Sequence, residues 1–211
     1  CDILEFTIAS ASSLVIASLI DKQIAVSLME MVLKMDAGAI YSQILLDVDE
    51  NDNYASVEKK LVNLCIDPLI DLVKKFASGD HVCKIEQDES RVTFCKRIFL
   101  DDCYISWNKS PFDIHNLIRA TSTRPGAWTK ITVNQQEKKC KILKTLVHSA
   151  SVKAKPGTIL EYSTKTGWIV QCAGGTIEIL KVQLEGKKVM NARDFINGFK
   201  DINIFFSISC S

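Results

Sequence analysis

Lys138, Lys139, Lys141 and Lys144 place four cations within seven residues of one another. Side chains of this kind neutralise phosphates, setting affinity and salt dependence without reading base sequence. If the segment is a strand, some of the four must share a face. A solvated basic surface is the equally simple alternative. Trp128 and Trp168 offer rings on which bases can stack, although an aromatic in a strand more often belongs to the core. Asp36 opens an Asp-Ala-Gly sequence, a place where a carboxylate ordinarily bonds its own turn backbone ahead of Gly38. His115 and His148 read as ordinary helix and strand residues. The eight cysteines, at 1, 65, 83, 95, 103, 140, 172 and 210, include no CxxC pair. They read as reduced, mostly apolar thiols, with neither a disulfide framework nor a metal site expected.

Charge divides the chain. Residues 1–80 hold 13 acidic and 6 basic side chains, whereas 81–211 hold 12 acidic and 20 basic, under a total of +1. A split of −7 against +8 suggests two domains with different partners. A polyanion, most simply nucleic acid, suits the second. The longest apolar run, Leu14–Ile20, stops at Asp21 and is too short to span a bilayer, so a cytoplasmic chain with no membrane partner is expected.

The elements that must carry these residues can be read from periodicity. Gln23–Val32 and Ala39–Val48 read as strands joined through Asp36-Ala37-Gly38. Asp52 and Asn53 offer an N-cap to a helix with apolar residues at Val57, Leu61, Leu64, Cys65, Leu69, Leu72, Val73 and Phe76. Ser78-Gly79 closes it, and Pro68 should kink or split it. Strand, strand and long helix describe the end of an α/β domain. Residues 80–102 are polar without a clean period, which makes them the expected linker.

Ser110, Pro111 and Asp113 then form the start of a short helix, with Ile114, Leu117 and Ile118 on its apolar face. It should end near Arg119–Ala120. Five short β segments follow: Ala127–Val133, Cys140–Val147, Thr158–Tyr162, Trp168–Cys172 and Thr176–Leu184, separated by turn residues. That spacing fits a small barrel of the oligonucleotide-binding type, an OB-like β-barrel. Asn191 can cap a last helix through Phe199.

Leu28–Gln43, LMEMVLKMDAGAIYSQ, is similar to the stretch of folate-dependent formyltransferases that ends in an Asp-(Thr/Ala)-Gly turn and a strand. Gln87-Asp88-Glu89 and Thr93–Ile98 (TFCKRI) resemble the linker of the methionyl-tRNA formyltransferase family. Ile105-Ser106-Trp107, Ile118-Arg119-Ala120, Pro125-Gly126-Ala127-Trp128, Pro156–Leu160 and Gln183–Met190 resemble its C-terminal domain. The likeness runs in order over roughly residues 11–200.

The resemblance implies a Rossmann-like catalytic domain ending near residue 80, a linker over 81–102, and an OB-like barrel over 103–211 that holds tRNA. It implies formyl transfer from 10-formyltetrahydrofolate to the α-amine of methionyl-initiator-tRNA, for translation initiation. It also assigns catalytic ancestry to Asp36 and tRNA contact to Arg97, Lys187 and Lys188, beside the Lys138–Lys144 run. The family pairs that Asp with an Asn and a His, and residues 1–80 contain no histidine. Where the family's Ser-Leu-Leu-Pro signature would fall, the chain reads Glu5–Ser10. Its Gly-Asp-Lys element survives only as Ile20-Asp21-Lys22-Gln23-Ile24-Ala25. A fragment or a decayed copy, a monomer without formyltransferase activity by itself, is therefore the expectation. The alternatives are a non-catalytic tRNA-binding protein and a formyltransferase acting on amino sugars.

Overall fold

The computed structural model describes residues 23–34, 36–92, 97–148, 153–199 and 202–204. The Leu14–Ile20 run, the Glu5–Ser10 segment, Cys1, Cys95, Cys210 and most of the TFCKRI stretch lie outside these residues. The chain divides into two compact units, with the boundary in the sequence between Arg97 and Ile98.

In the first unit, β1 (Gln23–Met29) pairs antiparallel with β2 (Ile40–Asp47), in the register Ile24↔Leu46 and Val26↔Ile44. Ile24, Val26 and Leu28 alternate onto the buried face, the period-2 pattern that the sequence carries. Both strands are shorter than their apolar runs, because residues 30–32 and Ala39 are spent on the turn. β2 is flanked on its other side by Ile85, whose N–H and C=O exchange bonds of 2.9 and 2.8 Å with Ile40. Part of the expected linker is thus bound to the hairpin.

Helix α1 (Tyr54–Ser78) follows. Asn53 is its N-cap: the Asn53 side chain accepts from the Ser56 N–H at 3.1 Å, and Ser56 Oγ accepts from the Asn53 N–H at 2.9 Å. Gly79 ends the helix at φ 77°, a left-handed conformation that glycine adopts without a Cβ penalty. Pro68 does not split it. The ring deletes one donor, and the helix runs through it from its Asn53 cap to its Gly79 cap. Val57, Cys65 and Leu72 are buried, but Val73 is exposed, so the apolar stripe is narrower than its sequence suggests.

Asp52 braces the start of this helix. It is 6% exposed and accepts from Lys60 Nζ at 2.6 Å, Ser56 Oγ at 2.8 Å and the Asp49 N–H at 2.9 Å. Burial pushes its carboxyl up, but those donors together outweigh burial and hold it below the usual carboxylate value. A carboxylate depressed in the folded state stabilises above its unfolded pKa of about 3.9 and loses that contribution as pH falls through the lowered folded value. Asp52→Asn should therefore cost this unit about 1–3 kcal/mol at neutral pH and little at pH 2. Urea unfolding followed by circular dichroism at the two pH values checks this; equal losses at both would contradict it.

The second unit is a curled antiparallel sheet. Its strands are β3 (Trp128–Val133), β4 (Gln136–His148), β5 (Ile159–Ser163), β6 (Gly167–Cys172), β7 (Gly175–Leu184), β8 (Met190–Asn191) and β9 (Ile202–Ile204). The order is β5-β6-β7-β4-β3-β9, with β8 on β7. The five expected segments are β3 to β7; the short β8 and β9 carry too few residues to show a period.

Helix α2 (Pro111–Thr121) starts on Ser110, whose Oγ accepts from the Asp113 N–H at 3.1 Å and donates to the Asp113 carboxylate at 2.8 Å. Helix α3 (Ala192–Gly198) supplies Phe195, which stacks on Trp168 at 5.3 Å and 18°. Trp168 is 1% exposed. Burying an aromatic of this size contributes about 1.5–3 kcal/mol, and Trp168 is accordingly core, not a stacking platform. Cys140 and Cys172 lie in the same core, where burial pushes their thiols up to about 12. Among the described residues Cys65 and Cys103 are also buried, Cys83 is exposed, and all five are free. No helix among the described residues is long and apolar enough to cross a membrane.

Candidate functional site

Strand β4 is the centre of the basic surface. Cys140 and Ile142 are buried, so Lys139 and Lys141, of opposite parity, stand on the outer face of the sheet. Simple alternation would turn Lys144 inward with Ile142. The register shifts between Ile142 and Thr145, and the resulting bulge keeps Lys144 exposed while Thr145 is 4% exposed. Lys138 has the parity of Cys140 and pairs with the buried Ile131, so it belongs to the other face. The four-lysine run is thus three lysines together and one apart.

Register adds cations that the sequence reading passed over. Lys130 on β3 is opposite Lys139, and Lys181 on β7 is opposite Lys144. The outer face therefore carries Lys130, Lys139, Lys141, Lys144 and Lys181. Lys130 is partly neutralised by Glu137 at 2.7 Å. Only strand pairing brings these residues together, and no local signal could have found Lys130 or Lys181.

The Lys187-Lys188 turn begins at the same place. The Glu185 N–H donates to the Lys139 carbonyl at 2.9 Å, and the Lys139 N–H to the Glu185 carboxylate at 3.2 Å. Gly186 turns the chain at φ 73°, and Gln183 Nε2 holds the Lys187 carbonyl at 3.1 Å. Both lysines are exposed.

Trp128 lies half-buried on the outer face, unlike Trp168. Its Nε1 donates to the Leu100 carbonyl at 2.8 Å, Tyr104 packs edge-on at 4.9 Å, and Lys139 Nζ sits 4.0 Å from the ring centroid. That last contact orders one lysine of the set. The Pro-Gly-Ala-Trp stretch has a packing reason as well: at Gly126, with φ 90°, a Cβ would stand 3.0 Å from the Lys141 stem.

The first unit holds the remaining residues. Arg97 is exposed at its end. Asp36 is exposed at the hairpin turn with φ 56°, a left-handed conformation that Asp tolerates better than most residues. Its carbonyl and that of Gly38 accept from the Gln87 side-chain amide at 2.9 and 2.7 Å. Among the described residues no side chain bonds the Asp36 carboxylate. These residues alone do not make up the donor set that a formyl carbonyl requires as it becomes an oxyanion, so they do not by themselves fit a folate formyl donor. No group of three or more His, Cys, Asp or Glu side chains able to hold a metal occurs among the described residues.

A basic sheet face beside a lysine turn, preceded by a hairpin that presents an Asp-Ala-Gly turn, agrees with what the chain is similar to. Residues 97–200 match the family described as formyl transferase, C-terminal domain. The relatives it is similar to are methionyl-tRNA formyltransferases. The chain is 33% identical over 189 residues to that of Protochlamydia amoebophila, covering 90% of this chain and 58% of the relative. It is 36% identical over 189 residues to that of Mycoplasma mycoides, covering 87% and 57%. The chain thus spans little more than half the length of these relatives.

Two solved structures share the fold. HypX from Aquifex aeolicus, in complex with tetrahydrofolic acid, has a TM-score of 0.66 at 15% identity, over 87% of this chain and 32% of that one. The sugar 3N-formyl transferase WlaRD, solved with dTDP and 5-N-formyl-THF, has a TM-score of 0.59 at 18% identity, over 82% and 60%.

Proposed function

We propose that this chain serves formyl transfer from 10-formyltetrahydrofolate to the α-amine of methionyl-initiator-tRNA. The observation that carries the reading is identity of 33–36% to methionyl-tRNA formyltransferases over 87–90% of the chain. The five-lysine sheet face supports it independently, because phosphate neutralisation is what such a face does best. In this reading the first unit is the end of a Rossmann-like catalytic domain and residues 81–102 are the linker. The second unit is an OB-like barrel, and the protein acts as a cytoplasmic monomer.

Each side chain then has a role. Lys139, Lys141, Lys144, Lys187 and Lys188 bind phosphates of the tRNA, as does Arg97 from the linker, while Lys138 stands aside. Asp36 is the carboxylate at the reacting end, where it helps the attacking amine shed its proton. An amine attacking a formyl group also needs donors on the developing oxyanion, each worth about 10²–10³ in rate. The first 80 residues contain no histidine to supply one.

These 211 residues alone should therefore bind methionyl-tRNA without formylating it. Incubation with 10-formyltetrahydrofolate and methionyl-tRNA, followed by separation of the product, tests this division of labour. Formylated product that disappears on Asp36→Ala would show that the chain holds a complete site.

A further inference from the structure

Gln87 lies 51 residues beyond Asp36 in a polar segment, yet its one side-chain amide reaches two carbonyls of the Asp36 turn. The Nε2 group has two protons, and the Asp36 and Gly38 oxygens take them at 2.9 and 2.7 Å. A donor that spans two carbonyls two residues apart fixes their separation, and with it the torsions that aim the Asp36 side chain.

The surroundings show why Gln87 can do this. The Ile40–Ile85 bridge lays the segment beside β2 with bonds of 2.8 and 2.9 Å. Lys84 then pairs with Glu30 at 2.7 Å, and Glu89 with Lys34 at 2.8 Å, one on each side of Gln87. Both ion pairs are exposed and individually weak. Gln87 is half-buried and engages the turn backbone itself. Asp36 adopts a left-handed φ of 56°, which Asp tolerates but which is still less favourable than the right-handed region, so a donor that pins the turn backbone helps to keep it there.

We propose that Gln87 is a positioning residue that holds Asp36 in a fixed pose through the turn backbone. Its relevance to formyl transfer rests on the reading of Asp36 given above. Chemistry limits the residue type: glutamate has the same shape and no donor, and methionine has similar length, no donor and no charge.

Nuclear magnetic resonance of the full chain tests the proposal. In the wild type, scalar coupling across the hydrogen bonds should link Gln87 Nε2 to the carbonyl carbons of Asp36 and Gly38. Gln87→Glu and Gln87→Met should each lower the amide order parameter at Asp36 from the rigid range to below about 0.6. Amide exchange at Ile85 should rise about tenfold, while amides in the middle of α1 keep their protection. A turn that stays equally ordered in both variants, or a Gln87 amide that exchanges at the free rate, would overturn the proposal. Formylation assays bear on the role of Asp36 and leave this measurement unaffected, so the two ideas can fail separately.

Discussion

Gly38→Ala is expected to unfold the first unit while leaving the second intact. A Cβ built on Gly38 stands 1.8 Å from the Glu30 carbonyl oxygen and 2.7 Å from its carbon. Both atoms are backbone, so no side-chain rotamer can relieve the overlap. The neighbouring bond from the Glu30 N–H to the Ala39 carbonyl, at 2.9 Å, holds those two chains at that spacing. Accommodating a methyl group means separating the strand ends and losing the turn. Overpacking in a well-fitted core costs about 1–3 kcal/mol, and a backbone collision should exceed the upper end of that range. All three tryptophans, at 107, 128 and 168, lie in the second unit, so their emission reports it alone. Circular dichroism should lose the α1 signal while tryptophan emission is unchanged. A variant with wild-type dichroism and wild-type urea midpoint would show that the turn tolerates what its geometry forbids.

The second large effect concerns the sheet face. Changing Lys139, Lys141 and Lys144 together to alanine should flatten the salt dependence of tRNA binding by about two to three units of log–log slope. Each neutralised phosphate contributes roughly 0.7 to 0.9 to that slope. The same should hold at one to two units for the Lys187 and Lys188 pair, whose turn is bonded to the Lys139 strand. Lys138→Ala is the control, since its parity places it on the opposite face. Because phosphate contacts carry no base information, different tRNAs should weaken alike. The expected ranking is a triple variant well below wild type, with Lys138→Ala close to it. Equal effects from Lys138 and Lys139 would mean that overall charge, and not the sheet face, governs binding.

Local chemistry made much of this architecture legible. Asn53 and Gly79 announce the ends of α1, and Ser110 with Asp113 announces α2, because capping is settled within four residues. Alternation at Ile24, Val26 and Leu28 defines a strand for the same reason. What the sequence hides is set by pairing. Lys144 faces outward only because β4 bulges beside β7, and Lys130 and Lys181 join the patch only through register. The Asp36 turn shows the same division. Its residues are a recognisable turn, but the Gln87 amide that holds them comes from a segment with no period of its own. Val73 and Pro68 mark the limit of periodic reasoning, since the helix exposes the first and continues through the second.

The reading of this chain as the tRNA-holding part of formyl transfer is tested most directly by transplanting it. The segment of the Mycoplasma mycoides methionyl-tRNA formyltransferase that corresponds to residues 98–200 would be replaced by those residues, and formylation of methionyl-tRNA measured. The chimera should formylate methionyl-tRNA well above the level of the relative stripped of that segment. Removing Lys139, Lys141 and Lys144 should return it toward that level. A folded chimera no more active than the stripped relative, or one indifferent to the three lysines, would contradict the account.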